Sequence, residues 1–358
     1  MSKLTFLSTD EACQAQLPTP DFYFSAVYGR AVEESDGHPW EIASWNDGAI
    51  IFPYLKRSIV DSSSFDVVSP YGYAGTWSSE AVPLSEWQLF RAELKSALVD
   101  RGCVAEFQRV GALVHGAEML APSDDSLILQ EHNHTISIDI SVGYTACWDR
   151  AESRCRTKTR KARKTGYTWS CRPAQITDAG CDSIFRKLYQ TTMERVEAST
   201  YYLFSDGYFE KLICGLEGRI YILEVTNSDG DIVVSGLFVD SAPLLHLHLL
   251  GSDRNALRDG AGNMAYDGLV QWGCEQDRCS TLHVGGGMAE NDSMYKFKKS
   301  FGGDPIPFHT ASCIMNQGEY QRLCKERAAV LGGTLDSLQQ SFFPLYRSQL
   351  VNCTIDQA

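Results

Sequence analysis

Seven bases fall within eleven residues of this chain: Arg154, Arg156, Lys158, Arg160, Lys161, Arg163 and Lys164, with no acid among them. Cations this close repel one another, and a partner carrying several phosphates would offset that repulsion. The plain alternative is the solvated face of a helix. A second stretch runs Ser252-Asp253-Arg254-Asn255-Ala256-Leu257-Arg258-Asp259-Gly260-Ala261-Gly262 and ends at Asn263. It lies between a strand pattern and a helix pattern. Its glycines would let backbone N–H groups turn toward a ligand, the helix start adds partial positive charge, and Arg254 and Arg258 could close on an anion. An ordinary tight connection would look the same. His246-x-His248 resembles a metal pair, but on a buried strand with no third ligand the expectation is core histidines. The twelve cysteines include no CxxC pair, so no zinc site is expected and the thiols should act as small hydrophobes.

The 45 acids and 32 bases give a net charge of −13, so the basic run is one concentrated patch on an acidic body. That balance disfavours broad coating of nucleic acid and leaves room for one local phosphate site. With 44% hydrophobic and 22% charged residues, a disordered chain, a collagen and a coiled-coil rod are excluded. The apolar runs are far shorter than the ~20 residues that span a bilayer. The first ten residues lack the apolar core of a signal peptide, so the expected location is the cytoplasm, without membrane insertion.

The elements that must position these residues read as two similar sets. Trp40–Trp45 and Ala49–Arg57 flank Asn46-Asp47-Gly48, a hairpin turn that accepts positive φ. A turn-rich segment, Ser69–Gly75, precedes a helix whose stripe is Trp87, Phe90, Leu94 and Leu98, with Gly102 as its stop. Val104–Val110 reads as a strand. In the second set, Arg219–Thr226 and Asp231–Asp240 flank Asn227-Ser228-Asp229-Gly230. Strand Pro243–Leu250, a helix from about Asn263 to Asp277 and strand Thr281–Val284 follow. An additional helix carries Ile184, Leu188, Thr192 and Val196 as its stripe, with Phe185, Tyr189 and Met193 beside it. Hairpin, strand, helix, strand, twice over, predicts an α/β (α+β) chain of two similar units in tandem.

Several motifs resemble the FemAB-like branch of the GNAT superfamily, over roughly Phe22 to Arg347. They are the basic run ending in Ala-Arg-Lys-x-Gly, Leu188-Tyr189-x-x-Thr192-Met193-x-Arg195, Tyr201-Tyr202-x-Phe204, and His283-Val284-Gly285-Gly286-Gly287 before Met294-Tyr295-Lys296-Phe297-Lys298-Lys299-Ser300-Phe301-Gly302. Ser69-Pro70-Tyr71-Gly72-Tyr73 and Phe107-x-Arg109 also fit. The resemblance implies two tandem GNAT-like domains with a cleft between them, over residues 1–145 and 146–313, and a segment 314–358 packing back on the first. The chain lacks the long coiled-coil arm that some members insert, which makes the shorter, single-addition type the closer match.

The activity so implied is an aminoacyltransferase, moving an aminoacyl group, from aminoacyl-tRNA, to the free amine of a peptide-like acceptor such as a cell-wall precursor or a peptide natural product. Lys298 matches the family lysine of Tyr-x-Phe-Lys-x-x-Phe and would stabilise the oxyanion formed by amine attack. Asp253 could accept the amine proton, and so could groups on the substrate or the tRNA. Arg160, Lys161, Arg163, Lys164, Arg254, Arg258, Gly260, Gly262 and Asn263 would hold donor phosphates. Tyr71, Tyr73, Arg109, Arg195, Tyr201 and Tyr202 would line the acceptor cleft. No Ser-His-Asp or Cys-His arrangement is visible, so direct transfer is expected, with no cofactor, no metal and a monomeric chain. Two alternatives stand beside this. An acyl-CoA-dependent N-acyltransferase would use Arg258–Asn263 for the CoA pyrophosphate, on an imperfect Gln/Arg-x-x-Gly-x-Gly/Ala pattern. A non-catalytic member would only bind peptide or nucleic acid.

Overall fold

The computed structural model describes residues 3–79, 82–111, 113–287 and 292–351. The chain forms two compact units. The first comprises the residues up to Pro18, His38–Glu131 and those from His309 onward; the second comprises Thr19–Gly37 and His132–Phe308. This grouping differs from contiguous spans divided near residue 145: Thr19–Gly37 packs with the second unit, which begins again at His132, and the first unit resumes at His309.

In the first unit the strands are β1 (Leu4–Ser8), β2 (Trp40–Trp45), β3 (Ile50–Ser58), β4 (Phe65–Val68), β5 (Trp77–Ser78) and β6 (Cys103–Val110). They lie in the order β1-β2-β3-β4-β6, with β5 beside β3. The β2–β3 hairpin forms as predicted: Trp45 pairs with Ile50, and Asn46, Asp47 and Gly48 all have positive φ. β4 and β6 run parallel, joined through a helix at Leu84–Asp100. Its residues Trp87, Phe90, Leu94 and Leu98 are fully buried, in one cluster with Trp45, Phe52 and Phe65. That is the stripe read from the sequence.

The second unit repeats the plan. Its strands are β7 (Ile128–Asp139), β8 (Thr168–Pro173), β9 (Ile220–Thr226), β10 (Ile232–Ser241), β11 (Leu244–Ser252) and β12 (Thr281–Gly286), ordered β7-β12-β11-β10-β9-β8. In the β9–β10 turn the Asn227 side chain accepts from the N–H groups of Asp229 and Asp231 at 3.0 and 2.9 Å. β11 and β12 run parallel, joined through the helix Ala261–Cys274. Met264, Ala265, Leu269 and Val270 of that helix share a core with Phe238, Leu245, Leu282 and Val284.

One expectation is corrected. In the helix Ile184–Arg195 the buried residues are Phe185, Tyr189 and Thr192. Ile184 and Val196, read as part of the stripe, are 48% and 58% exposed. The inward face is rotated by one residue because the larger aromatic rings take the core, where Phe185 meets Phe209 edge-on at 5.6 Å.

Each unit is closed by a strand from elsewhere in the chain. β7 leaves the first unit and its later residues pair with β12, Asp139 opposite Thr281. β13 (Asp304–Ile314) leaves the second, and its residues from His309 pair with β6, Ile314 opposite Ala105. After β13, the helix Gln317–Val330 places Tyr320, Leu323 and Cys324 against Val104, Ala105 and Ile59 of the first unit, together with Tyr346. The last part of the expected C-terminal segment, residues 352–358 with Cys353, lies outside the described residues.

A close backbone approach locks β11 to the helix Ile184–Arg195. A Cβ at Gly251 would collide with backbone atoms of Leu188 and Tyr189. Backbone cannot swing aside as a side chain can, so Gly251→Ala is expected to cost about 3 kcal/mol. Urea unfolding of the variant checks this; a loss within a few tenths of a kcal/mol would mean that the helix moves freely.

Candidate active site

β11 extends nine residues, yet its parallel pairing with β12 covers only Leu244–Thr281, Leu245–Leu282 and His246–His283. Beyond that rung the described pairing stops. Lys298 reaches the end of β12 from the helix Ser293–Lys299. The helix is started by Asp292, whose carboxylate accepts from the Tyr295 N–H at 2.7 Å. Phe297, one residue before the lysine, meets the Tyr266 ring edge-on at 5.1 Å, and Phe301 stacks on that ring at 5.2 Å. The aromatic residues of the motif thus hold the helix, and Lys298 donates from Nζ to the Gly286 carbonyl at 2.7 Å. The side chain keeps part of its surface exposed. Desolvation by the surrounding protein nevertheless pulls the amine to about 8, with Asp292 opposing the shift.

Behind this strand end lies a buried histidine cluster. His246 Nδ1 is 3.3 Å from His283 Nδ1, and His246 Nε2 is 3.4 Å from the Asp21 carboxylate. His248 sits between two hydroxyls, Tyr23 at Nδ1 (3.1 Å) and Tyr208 at Nε2 (2.7 Å). A neutral imidazole has one N–H and one lone pair, so one tyrosine donates and the other accepts. Burial, aided by His246, depresses His248 to about 3, so it stays neutral. Among the described residues no group of three or more His, Cys, Asp or Glu could hold a metal ion. Asp21 and Tyr23 went unrecognised in the sequence; the only local hint was the Phe22-Tyr23-Phe24 run before a serine cap.

The basic run forms the helix Ser153–Lys164, with Cys155, Thr159 and Ala162 buried. Its bases divide by role. Arg154 pairs with Glu152 at 2.7 Å. Arg156 donates to the Ala151 and Asp149 carbonyls, where the preceding helix, Tyr144–Arg150, ends. Arg163 pairs with the buried Asp267 and donates to the Tyr144 hydroxyl at 2.9 Å. The Arg160 and Arg163 guanidinium groups each lie 5.3 Å from the Trp148 ring centre. Trp148 and Tyr144 were missed because they sit on a separate helix, beyond any periodic signal. Lys158, Arg160, Lys161 and Lys164 remain exposed.

The Ser252–Gly262 stretch is a short helix, Arg254–Asp259, and not an open loop. Asp253 starts it, accepting from the N–H groups of Asn255 and Ala256 at 2.8 and 3.0 Å. One oxygen of the carboxylate expected to take a proton, Oδ1, thus serves as a helix cap. Arg254 and Arg258 are exposed. Lys161 approaches Asp259 at 3.8 Å, so this helix and the basic helix are neighbours. Gly260 has φ +98°, and a Cβ there would lie 3.0 Å from the Lys158 carbonyl; at Gly262 a Cβ would lie 3.0 Å from Leu257. Asn263 is buried and donates to Cys155 Sγ at 3.7 Å. These glycines therefore have a packing reason: they admit the basic helix and Leu257.

The remaining candidates divide between units. In the first, Tyr71 and Tyr73 lie on a turn anchored at both ends to β6. Ser69 Oγ accepts from the Arg109 N–H at 2.7 Å, while the N–H and hydroxyl of Thr76 donate to Gln108 Oε1 at 2.8 and 2.9 Å. Gln108 in turn donates to Glu106, which pairs with the fully buried Arg91 at 2.8 Å. The Arg109 guanidinium lies 5.6 Å from the Phe107 ring. In the second unit, Arg195 donates to the Ser252 carbonyl at 2.8 Å, securing the end of β11. Tyr201 and Tyr202 pack edge-on at 5.5 Å.

No protein-family model matches the sequence, and no curated protein matches it. Similarity appears in three dimensions. The solved structure of FemX is 14% identical with a TM-score of 0.64, covering 89% of this chain and 99% of FemX. The fold is of the FemAB-like, tandem GNAT type. A tandem GNAT protein from the clavulanic acid biosynthesis pathway agrees, at 9% identity and TM-score 0.52, covering 87% of this chain and 99% of its own. So does L-PGS from Bacillus licheniformis, at 14% and 0.53, covering 82% and 87%. Each unit holds one parallel pair with its connecting helix, β4–β6 in the first and β11–β12 in the second.

Arg163 is a structural member of the basic helix, and that has a measurable signature. Burial raises the pKa of Asp267 while Arg163 opposes the rise. In Arg163→Gln the carboxyl loses that cation, so its folded pKa climbs further above the unfolded value. Stability held below the unfolded pKa is then lost as pH rises through the folded one. The variant should be less stable than the wild type by about 2 kcal/mol at pH 7, and the gap should narrow by pH 5. Urea unfolding at both pH values checks this; a gap independent of pH would remove Asp267 from the account.

Proposed function

We propose that this protein transfers an aminoacyl group from aminoacyl-tRNA to the free amine of a peptide-like acceptor, in the cytoplasm. The observation that carries this is Lys298: a desolvated, partly exposed amine fixed on the Gly286 carbonyl, where β12 leaves its parallel partner. The amine of the acceptor attacks the ester carbonyl, and charge develops on its oxygen. Lys298, in its ammonium form, stabilises that oxygen in surroundings where the charge is poorly screened. The nitrogen–carbon bond forms, the tetrahedral intermediate collapses, and the 3′ oxygen of the tRNA takes up a proton and leaves as its hydroxyl. Asp253 acts as a helix cap, so the attacking amine loses its proton to a group on the substrates or to solvent. Tyr201 and Tyr202, in the same unit as Lys298, are proposed to contact the acceptor.

The donor is inferred from the basic helix. Lys158, Arg160, Lys161 and Lys164 project from it, with Arg254 and Arg258 on the neighbouring short helix, and this face suits a polyanion longer than one pyrophosphate. A second reading is an acyl-CoA-dependent N-acyltransferase, favoured by the likeness to the tandem GNAT protein, which was solved without AcCoA. The packing around Gly260, Gly262 and Asn263 weighs against it, since those backbone groups would have to meet the pyrophosphate. A non-catalytic binding role leaves the desolvated Lys298 unexplained.

The test is an assay of pooled labelled aminoacyl-tRNAs and acyl-CoAs against candidate acceptors, read by mass spectrometry, with ribonuclease sensitivity deciding the donor. Lys298→Ala should lower turnover on the order of 10²-fold. Lys298→Met should do the same while melting no lower than the wild type at pH 7, because it removes a desolvated charge. The ratio of wild-type to Lys298→Ala turnover, from which ionisation of the attacking amine cancels, should fall as pH rises through about 8, where the ammonium is lost; a ratio independent of pH would remove the lysine's charge from the reaction.

For the donor, replacing Arg160, Lys161 and Lys164 by Gln leaves the Arg163–Asp267 pair intact. It should flatten the dependence of log tRNA affinity on log salt by roughly 2 to 3. Binding of a neutral acceptor peptide should hardly change. Identical slopes for the two proteins would shift the reading to acyl-CoA.

A further inference from the structure

Cys147 and Cys274 face each other across two helices of the second unit. Their sulfur atoms are 3.8 Å apart, the one thiol pair in hydrogen-bonding reach among the described residues. Cys147 lies in the helix Tyr144–Arg150 and is buried; Cys274 ends the helix Ala261–Cys274 and is partly exposed. They are 127 positions apart in sequence, so neither is a chance neighbour along the chain. Cys147 also lines a small cavity with Trp148, Cys155, Asp267 and Phe301, and the partly exposed Cys274 is the solvent side of the pair. The thiol contact distinguishes the two sulfurs. Cys147 donates its S–H to the Asp139 carbonyl at 3.3 Å, so Cys274 is the donor in the thiol pair; that bond would favour the Cys147 thiolate, whose pKa is lowered chiefly by it, while the Cys274 pKa is raised. A reactive thiol needs thiolate character and a partner within reach, and this pair has both.

We propose that Cys147 and Cys274 form a redox-active dithiol, a modification site that a hydroperoxide converts reversibly to a disulfide. The Cys147 thiolate attacks one peroxide oxygen and the O–O bond breaks. That leaves a sulfenic acid on Cys147, and the other oxygen departs as water or alcohol after taking up a proton. The Cys274 sulfur then displaces the sulfenic hydroxyl, which leaves as water with the Cys274 proton. Two thiols lose two electrons in all, and one hydroperoxide is reduced. The sulfurs close from 3.8 Å to about 2.05 Å, a shift within reach of side-chain rotation and small helix movement. The cross-link ties the helix bearing Tyr144 and Trp148, the seats of Arg163 and Arg160, to the helix that carries Asp267. The site stands independently of the acyl-transfer reading.

Peroxide and a dithiol-specific arsenical test it on the full chain. Reduced wild-type protein is treated with a stoichiometric amount of hydrogen peroxide, unreacted thiols are alkylated under denaturing conditions, and the peptides are mapped. The expected product is a peptide pair joined through Cys147 and Cys274, lighter by about 2 Da than its reduced parts and released by dithiothreitol. Oxidation confined to the exposed Cys181 and Cys214, with Cys147 and Cys274 both alkylated, would overturn the proposal. In the second arm, phenylarsine oxide should bind the untreated wild type with one-to-one stoichiometry. Cys147→Ala and Cys274→Ala should each abolish binding, while the Cys181→Ala, Cys214→Ala double variant should retain it. Stoichiometric binding by either single variant would equally overturn it. The wild-type arms do not depend on any variant folding.

Discussion

A lysine amine in desolvated surroundings must find an acceptor or lose its charge, and much of the second unit's arrangement follows from how Lys298 meets that constraint. Its acceptor is the Gly286 carbonyl, at the end of β12, beyond the last rung that β12 shares with β11. The approach is fixed by a short helix that could not stand alone in water. Asp292 starts that helix, and Phe297 and Phe301 hold it on Tyr266. Tyr266 lies in the helix Ala261–Cys274, the connection between the two parallel strands. The lysine and the strand end it addresses are therefore set by the same connecting helix.

Much of this frame was legible in the sequence where a short-range rule was in force. The Asn46-Asp47-Gly48 and Asn227–Gly230 turns depend on residues that accept positive φ or fold an amide side chain onto their own backbone, and both hairpins form where read. The stripe Trp87, Phe90, Leu94, Leu98 was unambiguous because no other face of that helix is as apolar. In Ile184–Arg195 two overlapping stripes fit the same period. The aliphatic one was chosen, and the aromatic one is buried, because ring packing against Phe209 outweighs it. Thr19–Gly37 carries no local mark of belonging to the second unit; only its contacts with the helix Asp206–Gly215 and with His246 and His248 decide that.

The candidate site divides the same way. Lys298 was found through a motif whose aromatic positions have a clear structural duty. Asp253 and the glycines at 260 and 262 were read as chemistry because capping and anion binding use the same residue types. An acid before a helix and a glycine at its start serve either purpose, and only the neighbours distinguish them. Here those neighbours are the Lys158 carbonyl and the Leu257 side chain. Likewise the basic run looked uniform in sequence. In the fold, Arg156 and Arg163 hold a helix end and a buried carboxylate, Arg160 lies at the Trp148 ring and Lys161 near Asp259, and so the run is not one uniform face.

The exchange of closing strands also bears on biosynthesis. β6 finds its antiparallel neighbour in residues 309–314, and β12 finds its own in residues 135–139. During vectorial synthesis β6 leaves the ribosome long before residues 309–314 are made, so the nascent first sheet carries an open edge at β6 while the second unit is being translated. β12, by contrast, emerges after residues 135–139 and meets its antiparallel neighbour already made.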